Sequence, residues 1–257
     1  MISQREFYEL YNKNSPFNKN RNLGPIDARL FLRDLSLPVA YFCAKKGISA
    51  NTITVVFLSI SLLANALFAI PSIYTILSLI IIHVTAQLLD CVDGQLARYQ
   101  GVSSKYGENF DTLAHVLISG TFMLAFGIRL YLQDNQIIFL ILGGVGAFAK
   151  SFEQQLEIEK FSILEASTLK KIYYHSRLGR YLTYGFQSMI TQIRIFAIGI
   201  LLLTLIQPIV SGIRLVELSF VVMVSVTFLE SLVYRIYLSI KQLNLVERTV
   251  WKGWSKE

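Results

Sequence analysis

Asp90 and Asp93 stand three residues apart at the end of an otherwise apolar run, in Leu88-Leu89-Asp90-Cys91-Val92-Asp93-Gly94-Gln95-Leu96-Ala97-Arg98. Asp111 and His115 stand four apart where the next apolar run begins. Residues three or four apart share one face of a helix. Carboxylates at membrane depth are costly and need a partner or a water-filled cavity. We expect Asp90 and Asp93 at a helix C-terminus, where the dipole disfavours anions, so the pair calls for a cation. Two helices joined by a short cytoplasmic loop would then turn three carboxylates and one imidazole towards each other. Hard oxygen ligands suit Mg²⁺, Mn²⁺ or Ca²⁺ better than zinc. Gly94, Ala97 and Gly107 lack bulk and let an anionic ligand approach the backbone. Arg98 offers a guanidinium fork for phosphate. The ligand these residues imply is a metal-bound pyrophosphate at a cytoplasmic mouth.

The rest of the chain must hold that cluster in a membrane. Of 257 residues, 53% are hydrophobic and 16% charged, with a mean hydropathy of +0.50. That is too little polar surface to coat a soluble particle, which excludes disorder, a disulfide scaffold and an ordinary cytosolic enzyme. Cys43 and Cys91 are the only cysteines and read as buried free thiols. The first residues contain no apolar core and no small-residue cleavage site, so no signal peptide is expected. Residues 1 to about 24 are polar and without clear periodicity. Residues 25–46 read as an amphipathic helix lying at the interface, broken near Pro38 and stopped at Gly47. Six apolar segments follow, at about 52–70, 72–92, 110–132, 135–152, 187–210 and 213–240, each long enough for roughly 30 Å of hydrocarbon.

The expected fold is therefore all-α: a polytopic membrane protein of six transmembrane helices plus an N-terminal interfacial helix. Residues 1–50 would form a cytoplasmic segment, 51–240 the membrane domain and 241–257 a cytoplasmic tail. Arg129 and Arg214 lie near the short outer connections, and Arg194 and Arg235 lie within spans; all other Lys and Arg of the 24 fall on one side. The net charge of +7 is thus read as topology, with both termini and the cluster cytoplasmic, and not as nucleic-acid binding.

The stretch Asp90 to Arg98, then Gly107, Asp111 and His115, resembles the signature of the CDP-alcohol phosphotransferases: D-x-x-D-G-x-x-A-R, eight residues, G, three residues, D, three residues, D. Seven of the eight fixed positions match with every spacing intact. The six spans, the interfacial helix and Asn51-Thr52-Ile53-Thr54 at the start of the first span are also similar to the family. The resemblance implies an integral membrane enzyme that moves a substituted phosphate from a CDP-linked donor to an alcohol and releases CMP, as in phospholipid synthesis. The donor would be CDP-diacylglycerol or a CDP-polyol or CDP-aminoalcohol. The resemblance further implies a homodimer, a pair of Mg²⁺ or Mn²⁺ ions on Asp90, Asp93 and Asp111, and a nucleotide and pyrophosphate site shaped by Gly94, Ala97, Arg98 and Gly107.

The departure is His115, where the family carries a fourth Asp assigned as the base for the acceptor alcohol. Imidazole is a poor Mg²⁺ ligand and a competent base near neutral pH. His115 is expected to take over the base role; a rebuilt metal site and lost activity are the alternatives. From other classes, the rivals are an ion transporter that uses the intramembrane acids and a membrane scaffold of the same fold. A transporter would want its acids near mid-membrane and two related halves, whereas here they cluster at one mouth.

Other polar residues in apolar surroundings are read more plainly. His83 and Gln87 share the face of Asp90 and are expected to hydrogen-bond between helices. Arg194 either snorkels or holds an anionic group. Lys150, Lys170, Lys171, Arg177 and Arg180 are expected to enforce topology, with an acceptor pocket as the alternative. Glu230 reads as a structural partner, and no role is assigned to Tyr173, Tyr174 or His175.

Overall fold

The structure is a computed structural model that describes residues 4–14, 32–101, 105–163, 189–209, 214–229 and 232. Among them every regular element is a helix: α1 (Gln4–Asn14), α2 (Arg33–Lys45), α3 (Ala50–Phe68), α4 (Ile73–Gln100), α5 (Lys105–Asp134), α6 (Ile137–Ile163), α7 (Met189–Ile206) and α8 (Leu215–Leu229). The protein is an all-α, polytopic membrane protein. Residues 50–68, 73–100 and 109–134 are long and apolar enough to cross a bilayer; residues 137–151, 193–206 and 215–229 are shorter apolar helices.

The helix boundaries follow from local chemistry. Ser49 has extended backbone, and its hydroxyl accepts from the Thr52 amide at 3.2 Å, which caps α3. Ser72 caps α4 in the same way through Tyr74. Gly47 and Gly101 end α2 and α4 at φ of +70° and +64°, the left-handed conformation glycine adopts without a Cβ penalty. Between α3 and α4, Arg129 of α5 is 3% exposed. Its Nη1 donates to the carbonyls of Phe68 and Ile70 at 3.0 and 2.7 Å and to Thr75 Oγ1 at 3.0 Å, and its Nη2 to Ser72 O at 3.0 Å. A buried cation thus closes the C-terminus of α3 and the turn behind it. Arg129→Met should leave three carbonyls without this donor and cost about 2–4 kcal/mol. Thermal melting in detergent should register the loss, and an unchanged midpoint would refute the capping role.

The core follows α5, the most enclosed of the three long helices. Phe57 and Phe68 of α3, Ile76 and Leu79 of α4, Phe122 and Phe126 of α5, and Phe220 of α8 are all at most 1% exposed and share one cluster. At the other extreme Ile81, Phe148 and Val222 are 67, 66 and 52% exposed, an outward apolar surface suited to lipid. Helices α5 and α6 touch through glycine: a Cβ on Gly127 would lie 2.4 Å from Phe139 O and 2.9 Å from Gly143 Cα. Small residues let two backbones approach where no hydrophobic driving force separates lipid from helix.

Four expectations change. The N-terminal polar stretch contains a helix, α1, because Phe7 and Tyr11 lie four apart and bury at 0 and 7% exposure against α2 and α4. Pro38 lies inside α2 without breaking it; residues 25–31 are outside the described part. α4 continues to Gln100, so Asp90 and Asp93 lie well inside a helix and not at its C-terminus. The helix-dipole reason for a cation therefore falls, and the like charges themselves remain. α6 runs on to Ile163 through the polar residues that were expected to end its apolar pattern. Lys170, Lys171, Tyr173, Tyr174, His175, Arg177, Arg180, Glu230 and Arg235 lie outside the described residues.

Candidate active site

Three helices bring the motif together at the end of the bundle remote from Arg129, about 27 Å along α5 from Asp111 at 1.5 Å per residue. Asp90, Asp93, Gly94, Ala97 and Arg98 come from α4; Gly107, Asp111 and His115 come from α5; α3 adds Thr54. Helix spacing does the local work. Asp90 and Asp93 share a face of α4, and Asp111 and His115 share a face of α5.

His115 is the meeting point. Its Nε2 lies 3.3 Å from Asp90 Oδ1 and 3.5 Å from Asp111 Oδ1. Its ring sits against Phe57, with centroids 5.8 Å apart. Its Nδ1 is buried and has no hydrogen-bond partner. One ligand atom from each of Asp90, Asp111 and His115 falls within 4.8 Å of the others. Asp93 is turned differently: it is 7% exposed and accepts a 2.9 Å hydrogen bond from Thr54 Oγ1. Two carboxylates with an imidazole, and a third carboxylate oriented by a hydroxyl, form a donor set that fits a divalent cation.

A cavity of about 230 Å³ opens beside the cluster, and Asp90, Asp93, Gly94, Arg98 and Asp111 of the expected set line it. Ala97, Gly107 and His115 are not on its wall. Gly94 has a visible reason: a Cβ there would stand 2.7 Å from Arg98 Nη2, so the missing side chain lets the guanidinium fold back over α4. The cavity wall also takes Tyr11 from α1, Arg33 from α2, and Gln87 and Gln95 from α4. The sequence did not mark Tyr11 or Gln95 as site residues, and it offered Thr54 only within Asn51-Thr52-Ile53-Thr54, without a role. Phe7 and Tyr11 at helical spacing in a polar segment were a signal for the first. Nothing local pointed to the contacts of Thr54 and Gln95, because their partners are 39 and 59 residues away.

The interhelical reading of His83 and Gln87 holds. His83 Nε2 lies 3.1 Å from Asn65 Oδ1, and Asn65 Nδ2 donates to Ile118 O and Thr121 Oγ1 at 2.8 and 2.9 Å. One polar seam therefore ties α3, α4 and α5. Arg194 does not snorkel: it is 9% exposed on α7 and donates to Gln87 Oε1. Lys150 is 7% exposed on α6. Both cysteines are free; Cys43 is buried, and burial pushes its thiol pKa up, while Cys91 is half-buried.

The sequence profile of CDP-alcohol phosphatidyltransferases matches residues 48–224, well over half of the chain. The chain belongs to this family. No curated protein gives a significant match. The profile spans α3 to most of α8, including every motif residue from Asp90 to His115, and begins after α1 and α2. As a CDP-alcohol phosphatidyltransferase the protein is a membrane transferase of the type that uses CDP-linked alcohols in lipid synthesis.

Proposed function

We propose that this protein transfers a substituted phosphate from a CDP-linked donor to an alcohol acceptor and releases CMP. CDP-diacylglycerol, a CDP-polyol and a CDP-aminoalcohol are the donor classes. The observation that carries this reading is the convergence of Asp90, Asp111 and His115 within 4.8 Å beside a cavity that Asp93 and Arg98 also line. Asp90, Asp93 and Asp111 would hold two Mg²⁺ or Mn²⁺ ions. When bound, such ions neutralise a pyrophosphate and stabilise charge on attacking and leaving oxygens. Thr54 fixes the Asp93 carboxylate through its hydroxyl. Arg98, folded over Gly94, presents its guanidinium to phosphate oxygens, with Ala97 and Gly107 keeping the helix surfaces around it free of bulk.

His115 serves as the base. As the acceptor oxygen forms its bond to phosphorus and the bond to the CMP oxygen breaks, the hydroxyl proton passes to the imidazole by way of the Asp90 or Asp111 carboxylate, which lines the cavity and lies 3.3 or 3.5 Å from His115 Nε2. The imidazolium so formed stands beside Asp90 and Asp111, whose charges favour it. The test is a screen of purified protein with CDP-linked donors and alcohols in the presence of Mg²⁺ or Mn²⁺, with CMP read by chromatography. CMP release that requires both donor and acceptor supports the reading. Ion flux without nucleotide turnover would replace it with transport, and CDP binding without turnover in any pair would replace it with a scaffold.

The same proposal carries six spans, a homodimer, and both termini and the site on the cytoplasmic side. Residues 1–50 would form the N-terminal cytoplasmic segment, 51–240 the membrane domain and 241–257 the tail. The sidedness is supported by the distribution of basic residues, with Arg129 and Arg214 at the opposite end, and the homodimer by the family resemblance alone. Arg214 is paired there with Asp134 at 2.8 Å. With Cys43 and Cys91 replaced, a cysteine at position 105 should resist a membrane-impermeant reagent added to intact cells. Labelling from outside would invert the topology.

A further inference from the structure

We infer that Gln95, backed by Tyr11 of α1, reads the nucleobase of the donor. The inference rests on the proposed CDP-linked substrate and adds residues that the motif leaves unspecified or that lie before the family match.

Gln95 is one of the unspecified positions of the motif, yet it is 1% exposed and on the wall of the cavity. Its Nε2 donates to Arg33 O at 2.9 Å and to Ser36 Oγ at 2.8 Å, so α2 holds the side chain in place. Those bonds also settle which end of the amide is which. A carbonyl oxygen can only accept, so the group facing Arg33 O must be the NH₂. The other end, Oε1, is buried and has no hydrogen-bond partner. A buried acceptor left unmade is expensive, and this one belongs to a side chain on the wall of the substrate cavity. It calls for a ligand group that donates.

The parts of a CDP-linked donor differ in what they offer. The ionised pyrophosphate only accepts, and it belongs with Arg98 and the metal-binding acids. The ribose hydroxyls can donate, and so can the exocyclic amine of cytosine. At C4 cytosine presents this amine, whereas uracil presents a carbonyl oxygen at that position. Opposite Gln95 Oε1, uracil would set two acceptors against each other. Tyr11 supplies the flat surface a base requires. It is 7% exposed on the cavity wall, one helical turn beyond Phe7. Phe7 is fully buried and seats α1 through ring contacts to Tyr41 of α2 and Tyr99 of α4 at 5.8 and 4.9 Å. α1 therefore presents Tyr11 from an anchored helix and not from a loose tail.

Equilibrium binding of CMP, UMP and 2′-deoxy-CMP to the full-length protein with Mn²⁺ tests the assignment without requiring the acceptor. Wild type should prefer CMP over UMP by roughly 10- to 100-fold, the range of one buried acceptor left unpaired, and should bind 2′-deoxy-CMP nearly as well as CMP. Gln95→Leu should bring the CMP-to-UMP ratio close to one. Tyr11→Ala should weaken CMP and UMP alike by about tenfold, the scale of one base–aromatic stack, and keep their ratio. Ser36→Ala loosens the anchor without removing Oε1 and should lower the ratio only partly; it stands in for Gln95→Leu if that variant does not fold. A wild-type preference that survives unchanged in Gln95→Leu, or in Ser36→Ala where that replaces it, would overturn the inference. A preference governed by the 2′-hydroxyl would move Gln95 to the ribose and overturn it as well. If wild type binds no cytidine nucleotide, the CDP-linked function itself falls, and this inference with it.

Discussion

Asp90→Asn, Asp93→Asn and Asp111→Asn should each lower CMP release by at least about a thousandfold, equivalent to ~4 kcal/mol of transition-state stabilisation. The amide keeps the shape of the carboxylate and removes the charge that holds a hard cation. The structure also says why folding should survive. Asp90 and Asp111 have side chains 24 and 43% exposed, so neither supports the core. Asp93 is buried, yet an Asn oxygen can still accept from Thr54 Oγ1. Circular dichroism and a monodisperse detergent profile would establish that the variants are intact, and excess chelator on wild type should reproduce their loss. Full turnover in chelator would refute the metal assignment for all three residues at once.

His115→Ala should lose about 10²–10⁴-fold in kcat, the usual contribution of a positioned base. Its affinity for the CDP-linked donor should stay close to wild type, because Asp90, Asp93, Asp111 and Arg98 remain. That split between turnover and binding separates a base from a residue that merely packs, since His115 also rests on Phe57 and its loss could disturb α3. His115→Asp places a shorter base at the same point of α5 and should recover part of the rate. His115→Gln keeps volume and hydrogen bonding without a basic nitrogen, and should stay as slow as His115→Ala. Wild-type turnover in His115→Gln would remove the base role.

Much of this molecule is legible without its tertiary structure. The apolar runs require helices in a membrane, because continuous apolar stretches of about 20 residues cross hydrocarbon as helices, whose backbone bonds are all made within the segment. The spacing of Asp90, Asp93, Gly94, Ala97, Arg98, Gly107, Asp111 and His115 puts the motif on two helix faces, because 3.6 residues make a turn. Periodicity also supported the interhelical role of His83 and Gln87. All of these are local: each depends on residues within a few turns of one another, or on the average polarity of a segment.

What the local pattern could not decide is where pairs distant in sequence meet. Composition suggested that α4 should stop at the acids; it runs to Gln100 because packing on α1 and α2 supports its last turns, with Val92 and Leu96 fully buried there. The polar N-terminal segment folds as α1 because Phe7 finds an aromatic pocket built by residues 34 and 92 positions later, Tyr41 and Tyr99. Thr54 reaches Asp93, and Gln95 reaches the start of α2, only once α2, α3 and α4 lie together. Sequence alone determined which groups could do chemistry and the helices that carry them. Tertiary packing decided which of those groups share a wall, because burial and hydrogen-bond partners belong to contacts between helices and not to any one of them.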